Sequence, residues 1–338
     1  MPRVADVPAE TAETAGVSVV ATVESVVEAV EAAVILAAPS KVKAYTILRT
    51  GTKVSVFLYF HYISGIMSKF RFFIVLSLAA TLCGCGAKTT RPSSSDVYPK
   101  AKGVTRIVQY NVGAFSKEID NSIPMVSAMM KEIGADALSL NELDSCNTRH
   151  PFDQLKEFAE AMGDWNYKFG RAMPFRDGAY GVGVAVPDEI TSFSVIPLPK
   201  GNGSEPRACV AIETDSYVLA STHLDYVHEP SMVVQAQTIN KALVEKYSKS
   251  KKPVFLAGDM NSTPGSAVLK ELSKDWDVIS CRKNTFSALN PHECIDFILV
   301  LKNKAKFKVV GSEVPVDFKT GEVGTASDHL PIFVDVKL

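Results

Sequence analysis

The sequence predicts an α/β fold in which two β-sheets pack together between flanking helices. Short apolar runs of strand length recur from Val104 to the C-terminus. Helical patterns separate only some of them. Acids, amides and imidazoles stand where these runs end, which is how a rigid scaffold gathers a site.

In chain order, the expected strands are TRIVQYNV, ALSLNEL, YGVGVAV, ACVAIET, YVLASTHLD, PVFLAGDMN, CIDFILV and PIFVDVKL. Amphipathic patterns predict helices from Ile123 to Ile133 and from Phe152 to Met162. A longer helix is expected from Pro230 to Tyr247 and a short one from Ser266 to Leu272. No internal repeat is visible.

The chain has 338 residues, 46% hydrophobic and 22% charged, values that suit a globular protein and exclude disorder as its main state. Its net charge is -1, and the residues after Cys85 hold 29 Lys and Arg against 31 Asp and Glu. Avid nucleic-acid binding by counterion release goes with a basic excess, which is absent here. Cys146, Cys209, Cys281 and Cys294 lack the paired spacing of a zinc site. Cys281 with Cys294 is an open disulfide candidate if the compartment is oxidising.

Residues 68–85 read SKFRFFIVLSLAATLCGC. Lys69 and Arg71 precede an apolar run from Phe72 to Leu82, too short to cross a bilayer, which takes about twenty residues, but suited to a signal-peptide core. The ending Leu82-Cys83-Gly84-Cys85 resembles a bacterial lipobox, which implies lipidation of Cys85. The expected organisation is therefore an N-terminal extension over 1–66 (non-native, disordered or helical), a lipoprotein signal peptide over 67–85, a polar tether over 86–103 and a main domain over 104–338. The expected place is the cell envelope, with a lipid anchor in the membrane. The competing reading is an uncleaved membrane anchor.

Within the main domain, Asn111, Glu142, His223, Asp259 with Asn261, and Asp328 with His329 each follow a strand, and Asp296 lies inside one. Taken singly, Glu142 reads as a solvated loop acid, and Asp259 and Asp328 read as turn residues. Asp296 differs, because a carboxylate in an apolar strand costs several kcal/mol unless a His or Arg pairs with it. Together the set supplies what phosphate-ester hydrolysis needs. The carboxylates Glu142 and Asp328 suit a hard cation, and His and Asn donors suit phosphoryl oxygens. A further carboxylate can position or deprotonate water.

The order YNV, NE, THLD, GDMN, DF and SDH resembles the endonuclease/exonuclease/phosphatase family over residues 104–338. The resemblance implies a four-layer α/β/β/α sandwich with two packed mixed β-sheets. It implies Mg²⁺, with Mn²⁺ as a substitute, held by Glu142 with Asn111 and Asp328. His223 and His329 would contact the scissile phosphate, and Asp259 would orient or deprotonate water. Asn261 would hold developing charge, and Asp296 would pair with His329. Arg149, Tyr180, Arg207 and Asn111 are candidate substrate contacts. Two departures stand out: Asn141 replaces the usual Gln before the metal-binding Glu, and Met232 replaces an Arg, while Gln235 matches. The expected activity is that of a monomeric phosphodiesterase acting on nucleic acid or on a lipid or sugar phosphate. The competing class is a catalytically inactive binding lipoprotein, which would be expected to lose Glu142, Asp259 or His329. All three are present.

Overall fold

Strand-forming runs that are apolar throughout must be covered on both faces, and here they are the inner strands of two six-stranded sheets. A computed structural model of the chain describes residues 97–338 and, upstream, the backbone of strands β1 (Val42–Thr50), β2 (Lys53–Phe60) and β3 (Leu76–Ser77). Strands β1 and β2 pair antiparallel, and β3 pairs with β2. Cys85, most of the signal-peptide and tether segments, and the Ala/Val/Glu-rich stretch near the N-terminus lie outside the described residues. Thr90–Leu338 forms a unit of its own. Among the described residues no helix is long and apolar enough to cross a membrane.

The first sheet contains β4 (Thr105–Asn111), β5 (Ala137–Ser145), β6 (Asn166–Phe175), β7 (Gly178–Val186), β14 (Lys308–Glu313) and β15 (Ile332–Lys337), in the order β14-β15-β4-β5-β7-β6. The second contains β8 (Ser192–Leu198), β9 (Arg207–Glu213), β10 (Val218–His223), β11 (Val254–Asp259), β12 (Trp276–Val278) and β13 (Asp296–Leu301), in the order β12-β13-β11-β10-β9-β8. Both sheets are mixed: β4 runs parallel to β5 and β10 parallel to β11, and the other pairs are antiparallel.

Ile107, Val184, Val210, Leu219, Phe255 and Ile298 belong to the core layer between the sheets. Helices α1 (Ile123–Glu132) and α2 (Gln154–Gly163) cover the outer face of the first sheet through Val126, Met129, Leu155 and Phe158. Helices α3 (Glu229–Tyr247) and α4 (Ala267–Leu272) cover the second through Ala236, Ile239, Leu243 and Leu272. The result is the four-layer α/β/β/α sandwich. Each fully buried aliphatic side chain contributes about 1.5–3 kcal/mol. Local signals start the helices: the Asp153 carboxylate accepts from Lys156 N at 2.9 Å ahead of α2, and the Ser266 hydroxyl accepts from Leu269 N at 3.2 Å ahead of α4. A single-turn helix α5 (Val323–Ala326) precedes the SDH motif.

Within residues 97–338 the strands that the sequence reading passes over are β6, β8, β12 and β14, and they are the edges of the two six-stranded sheets. An edge strand covered on one side keeps polar and exposed positions, so its apolar run is broken. Two placements also differ from expectation. Glu142 lies within β5 rather than after a strand, and Asp296 opens β13 rather than sitting inside it. Cys281 and Cys294 are both free thiols. Tyr98, in the segment read as tether, packs edge-on against Phe333 with ring centroids 6.2 Å apart.

Candidate active site

Strand direction explains why the candidate residues meet. The parallel strands β4, β10 and β11 finish at one end of the sandwich, with Asn111, His223 and Asp259 as their last residues. Their antiparallel neighbours begin there. Asp296 opens β13 opposite Asp259, Arg207 opens β9, and Asp328 and His329 stand just before β15. Glu142 reaches the same end through a bulge. The pairs Leu140–Gly183 and Leu143–Gly181 leave two β5 residues opposite one on β7. Glu142 takes a left-handed φ of 60°, a conformation that costs about 1 kcal/mol for a residue with a Cβ. The bulge leaves its side chain half-buried while Asn141 turns inward and is fully buried.

A fully buried Asp296 forms the centre. Its Oδ2 accepts from His329 Nδ1 at 2.9 Å and from the Thr285 hydroxyl at 2.6 Å, and its Oδ1 accepts from Gln109 Nε2 at 3.3 Å. Burial pulls the His329 pKa down, but the charges of Asp296, Asp259 and Asp328 outweigh it and raise the imidazole to about 10. His329 is therefore an imidazolium at neutral pH. Its Nε2 lies 3.6 Å from Asp259 Oδ2. Burial, reinforced by the nearby Asp296 charge, raises the Asp259 pKa well above the usual carboxylate range.

His223 behaves oppositely. Burial, then the positive charges of Arg207, His329 and Lys117, hold its pKa well below the usual value, so it is neutral. Asn261 Nδ2 donates to His223 Nε2 at 2.9 Å and to Leu224 O at 3.0 Å, which puts the His223 proton on Nδ1. Asn261 N donates to Asp259 Oδ1 at 2.9 Å. Asn111 Nδ2 donates to Glu142 Oε1 and to Asp259 Oδ2, both at 3.1 Å, while its Oδ1 accepts from Gly113 N at 3.1 Å. Asn111 thereby tethers both carboxylates through its amide nitrogen, while its amide oxygen, which has two lone pairs, accepts from the Gly113 N–H.

The donors fit a hard divalent cation. Glu142 and Asp328 are partly exposed carboxylates whose charges both act on Lys117, and among the described residues no thiol contributes. A positive charge already occupies that region: Lys117 Nζ lies 3.1 Å from Asp328 Oδ2. Burial works against the Lys117 charge, but Glu142 and Asp328 overcome it and raise the pKa. Asp259, Asp296 and His329 also bring ligand-type atoms within 4.8 Å of one another. Within that trio Asp296 accepts three hydrogen bonds, one of them from His329 Nδ1.

The expected substrate contacts divide. Arg149 commits Nε and Nη2 to Asp144 at 2.6 and 2.9 Å and lies over the Phe175 ring, so much of its role is structural. Asp144 also bonds His150 Nδ1 at 2.6 Å. Tyr180 is half-buried on β7, with its ring 5.9 Å from that of Phe175. Its pKa is raised, by burial first and then by Glu142. Arg207 is buried, with Nη1 3.1 Å from Glu205 Oε1. The departing residues are accommodated. Asn141 Oδ1 accepts from Gln109 Nε2 at 2.6 Å and from Asp259 N at 2.9 Å, and its Nδ2 donates to Thr222 O at 3.0 Å, joining the two sheets under the site. Met232 is buried, and Gln235 accepts from Asp225 N at 2.9 Å and donates to Pro199 O at 3.1 Å.

Sequence reading missed Lys117, Gln109 and Thr285. Gln109 had a signal, being a polar residue inside an apolar run. Lys117 and Thr285 had none, because each lies in a loop whose path only the fold defines.

The Endonuclease/Exonuclease/phosphatase family profile matches residues 108–329. No curated protein matches the sequence significantly. Several solved structures share the fold. An endonuclease/exonuclease/phosphatase of Bacteroides vulgatus is 19% identical, covers 70% of this chain and 100% of its own, and superposes with a TM-score of 0.57. A mannosyl-6-phosphatase of Bacteroides thetaiotaomicron is 20% identical over 69% of this chain and 99% of its own, also at 0.57. The human Nocturnin catalytic domain, with a bound sulfate anion, is 17% identical over 69% and 93%, at 0.54.

Proposed function

This chain belongs to the endonuclease/exonuclease/phosphatase family, and on that premise we propose that it is a divalent-metal-dependent hydrolase of phosphate esters. The observation that carries the reading is the meeting of two hydrogen-bonded sets, Thr285 and His329 on Asp296 and Asn111 on both Asp259 and Glu142, with His329 Nε2 3.6 Å from Asp259 Oδ2 between them. Its parts are complementary. A cationic imidazole and a carboxylate of raised pKa stand side by side, which is how a site holds both an acid and a base near neutrality.

A divalent cation held by Glu142 with Asp328, Mg²⁺ or Mn²⁺ in this reading, would neutralise phosphoryl charge. The chain's own groups do the rest. His329 Nε2–H donates to a phosphoryl oxygen, with Asp296 fixing its orientation and charge. Asp259 Oδ2 takes a proton from the attacking water, oriented by the Asn111 and Asn261 donors. Neutral His223 holds the Asn261 amide at 2.9 Å. An activated water suits a diester in particular, because a monoester passes through a looser transition state with less demand on the nucleophile. The mannosyl-6-phosphatase likeness makes phosphorylated sugars the first monoesters to test. From Cys83-Gly84-Cys85 we further propose that the enzyme is a lipid-anchored protein of the cell envelope.

The test is turnover of a panel of diesters (single- and double-stranded DNA, RNA, sphingomyelin, an aryl diester) and monoesters (sugar phosphates, an aryl phosphate). Each is run with Mg²⁺, with chelator, and with His329→Ala. Metal-dependent turnover lost in His329→Ala is expected. Chelator-insensitive turnover would remove the metal from the reading, and a folded protein inert across the panel would favour the binding-lipoprotein class.

A further inference from the structure

The turn after β4 is unusual in a way the reaction as described leaves unexplained. Gly113, Ala114 and Phe115 take φ values of 53°, 54° and 50°, three left-handed residues in succession. For Ala114 and Phe115 that conformation costs about 1 kcal/mol each, so packing has to enforce it. It does: the Gln154 side-chain amide donates to Ala114 O, Ser122 N donates to Phe115 O at 2.7 Å, and the Phe115 ring stacks on Phe158 with centroids 5.5 Å apart. The effect of the turn is to bring Lys117 back over the end of the sandwich. A Cβ on Gly113 would lie 2.9 Å from Lys117 Cβ and 3.4 Å from Asp328 Oδ1, so the glycine leaves the room in which the lysine stem and the carboxylate meet.

The lysine that arrives there is rooted but not trapped. Its side chain keeps 48% of its exposure while Nζ sits 3.1 Å from Asp328 Oδ2. An ammonium on a flexible stem can exchange one oxyanion partner for another without moving the backbone.

We propose that Lys117 is a built-in second cation of this site, pairing with Asp328 when the carboxylates are free and passing to the phosphoryl oxygens when a divalent ion and substrate are bound. The proposal rests on the metal-dependent reading above and adds a residue to it. Two consequences follow with opposite signs. Lys117 repels an arriving divalent cation and competes for Asp328, so removing its charge strengthens metal binding. It attracts phosphate in the metal-loaded site, so the same change weakens phosphate binding.

Calorimetric titration separates these effects, using Mn²⁺ alone and then inorganic phosphate in saturating Mn²⁺. Lys117→Met is expected to bind Mn²⁺ roughly tenfold more tightly and phosphate roughly tenfold more weakly than the wild type. Lys117→Arg should lie close to the wild type in both. A Mn²⁺ affinity within twofold of the wild type in Lys117→Met, or unchanged phosphate affinity, would overturn the proposal. So would a fall in both affinities, the sign of a merely damaged site. Glu142→Gln distinguishes failure of the premise: if it binds Mn²⁺ as the wild type does, the metal-dependent reading falls and this inference with it.

Discussion

Replacing Asp296 by Asn tests the central pair directly. The side chain is fully buried, and both its oxygens accept hydrogen bonds, from His329 and Thr285 on one and Gln109 on the other. An amide has one oxygen and one NH₂, so whichever way it turns, donor faces donor on one side. His329 also loses its buried counter-ion. Removing one partner of such a pair costs about 3–5 kcal/mol, and the lost hydrogen bond is part of that figure rather than additional to it. The pH dependence gives a second reading. Asp296 is the largest influence raising His329 from 6.5 to about 10. A pKa raised on folding adds stability that is complete below the unfolded value and is lost as pH climbs through the folded value. The wild type should therefore lose stability between pH 6.5 and pH 10, by roughly 3 kcal/mol between pH 7 and 9.5. In Asp296→Asn that slope should flatten. Urea unfolding of both proteins at pH 7 and 9.5, in chelator so that only protein groups titrate, measures each quantity. A loss below about 1 kcal/mol at pH 7, or an unchanged slope, would show that His329 and Asp296 are not an ion pair.

Other expectations concern the base and the far side of the fold. Burial and Asp296 raise Asp259 to about 7 in the protein without metal. Its base form is lost on the acid side, so kcat/KM should fall with an acid limb above the ordinary carboxylate value of about 4; a limb at about 4 would exclude Asp259 as the base. Arg106 donates from Nε and Nη2 to the two oxygens of Asp335, both at 2.7 Å, in a buried pair away from the site. Asp335→Asn should cost about 3–5 kcal/mol in urea unfolding while leaving turnover per folded molecule intact, and a stability change under 1 kcal/mol would contradict it.

Much of this was legible in the residues, for identifiable reasons. Inner strands such as β4, β10, β11 and β13 are covered on both faces, so they read as unbroken apolar runs, and the polar residue that ends each run marks the site. Asp296 announced a partner because an unpaired carboxylate has no place beside Phe297 and Ile298. Edge strands were illegible for the converse reason: β14 is exposed along most of its length and carries no apolar face to detect. The bulge at Glu142 depends on the β5–β7 register, a property of two strands rather than one. Asn111 read as a metal ligand from its motif, and its amide's bonds to Glu142, Asp259 and the Gly113 N–H appear only in the closed fold.

The sequence by itself determined which chemistry was available: carboxylates, amides and imidazoles at strand ends, in the order of one family. The tertiary structure alone decided their states. Asp259 and His329 are far apart in the chain, and their protonation follows from burial and from the Asp296 charge beside them, which act only once the sheets have closed. Lys117 is decided in the same way, because its ion pair with Asp328 spans the whole domain and no local pattern encodes a contact between residues that distant.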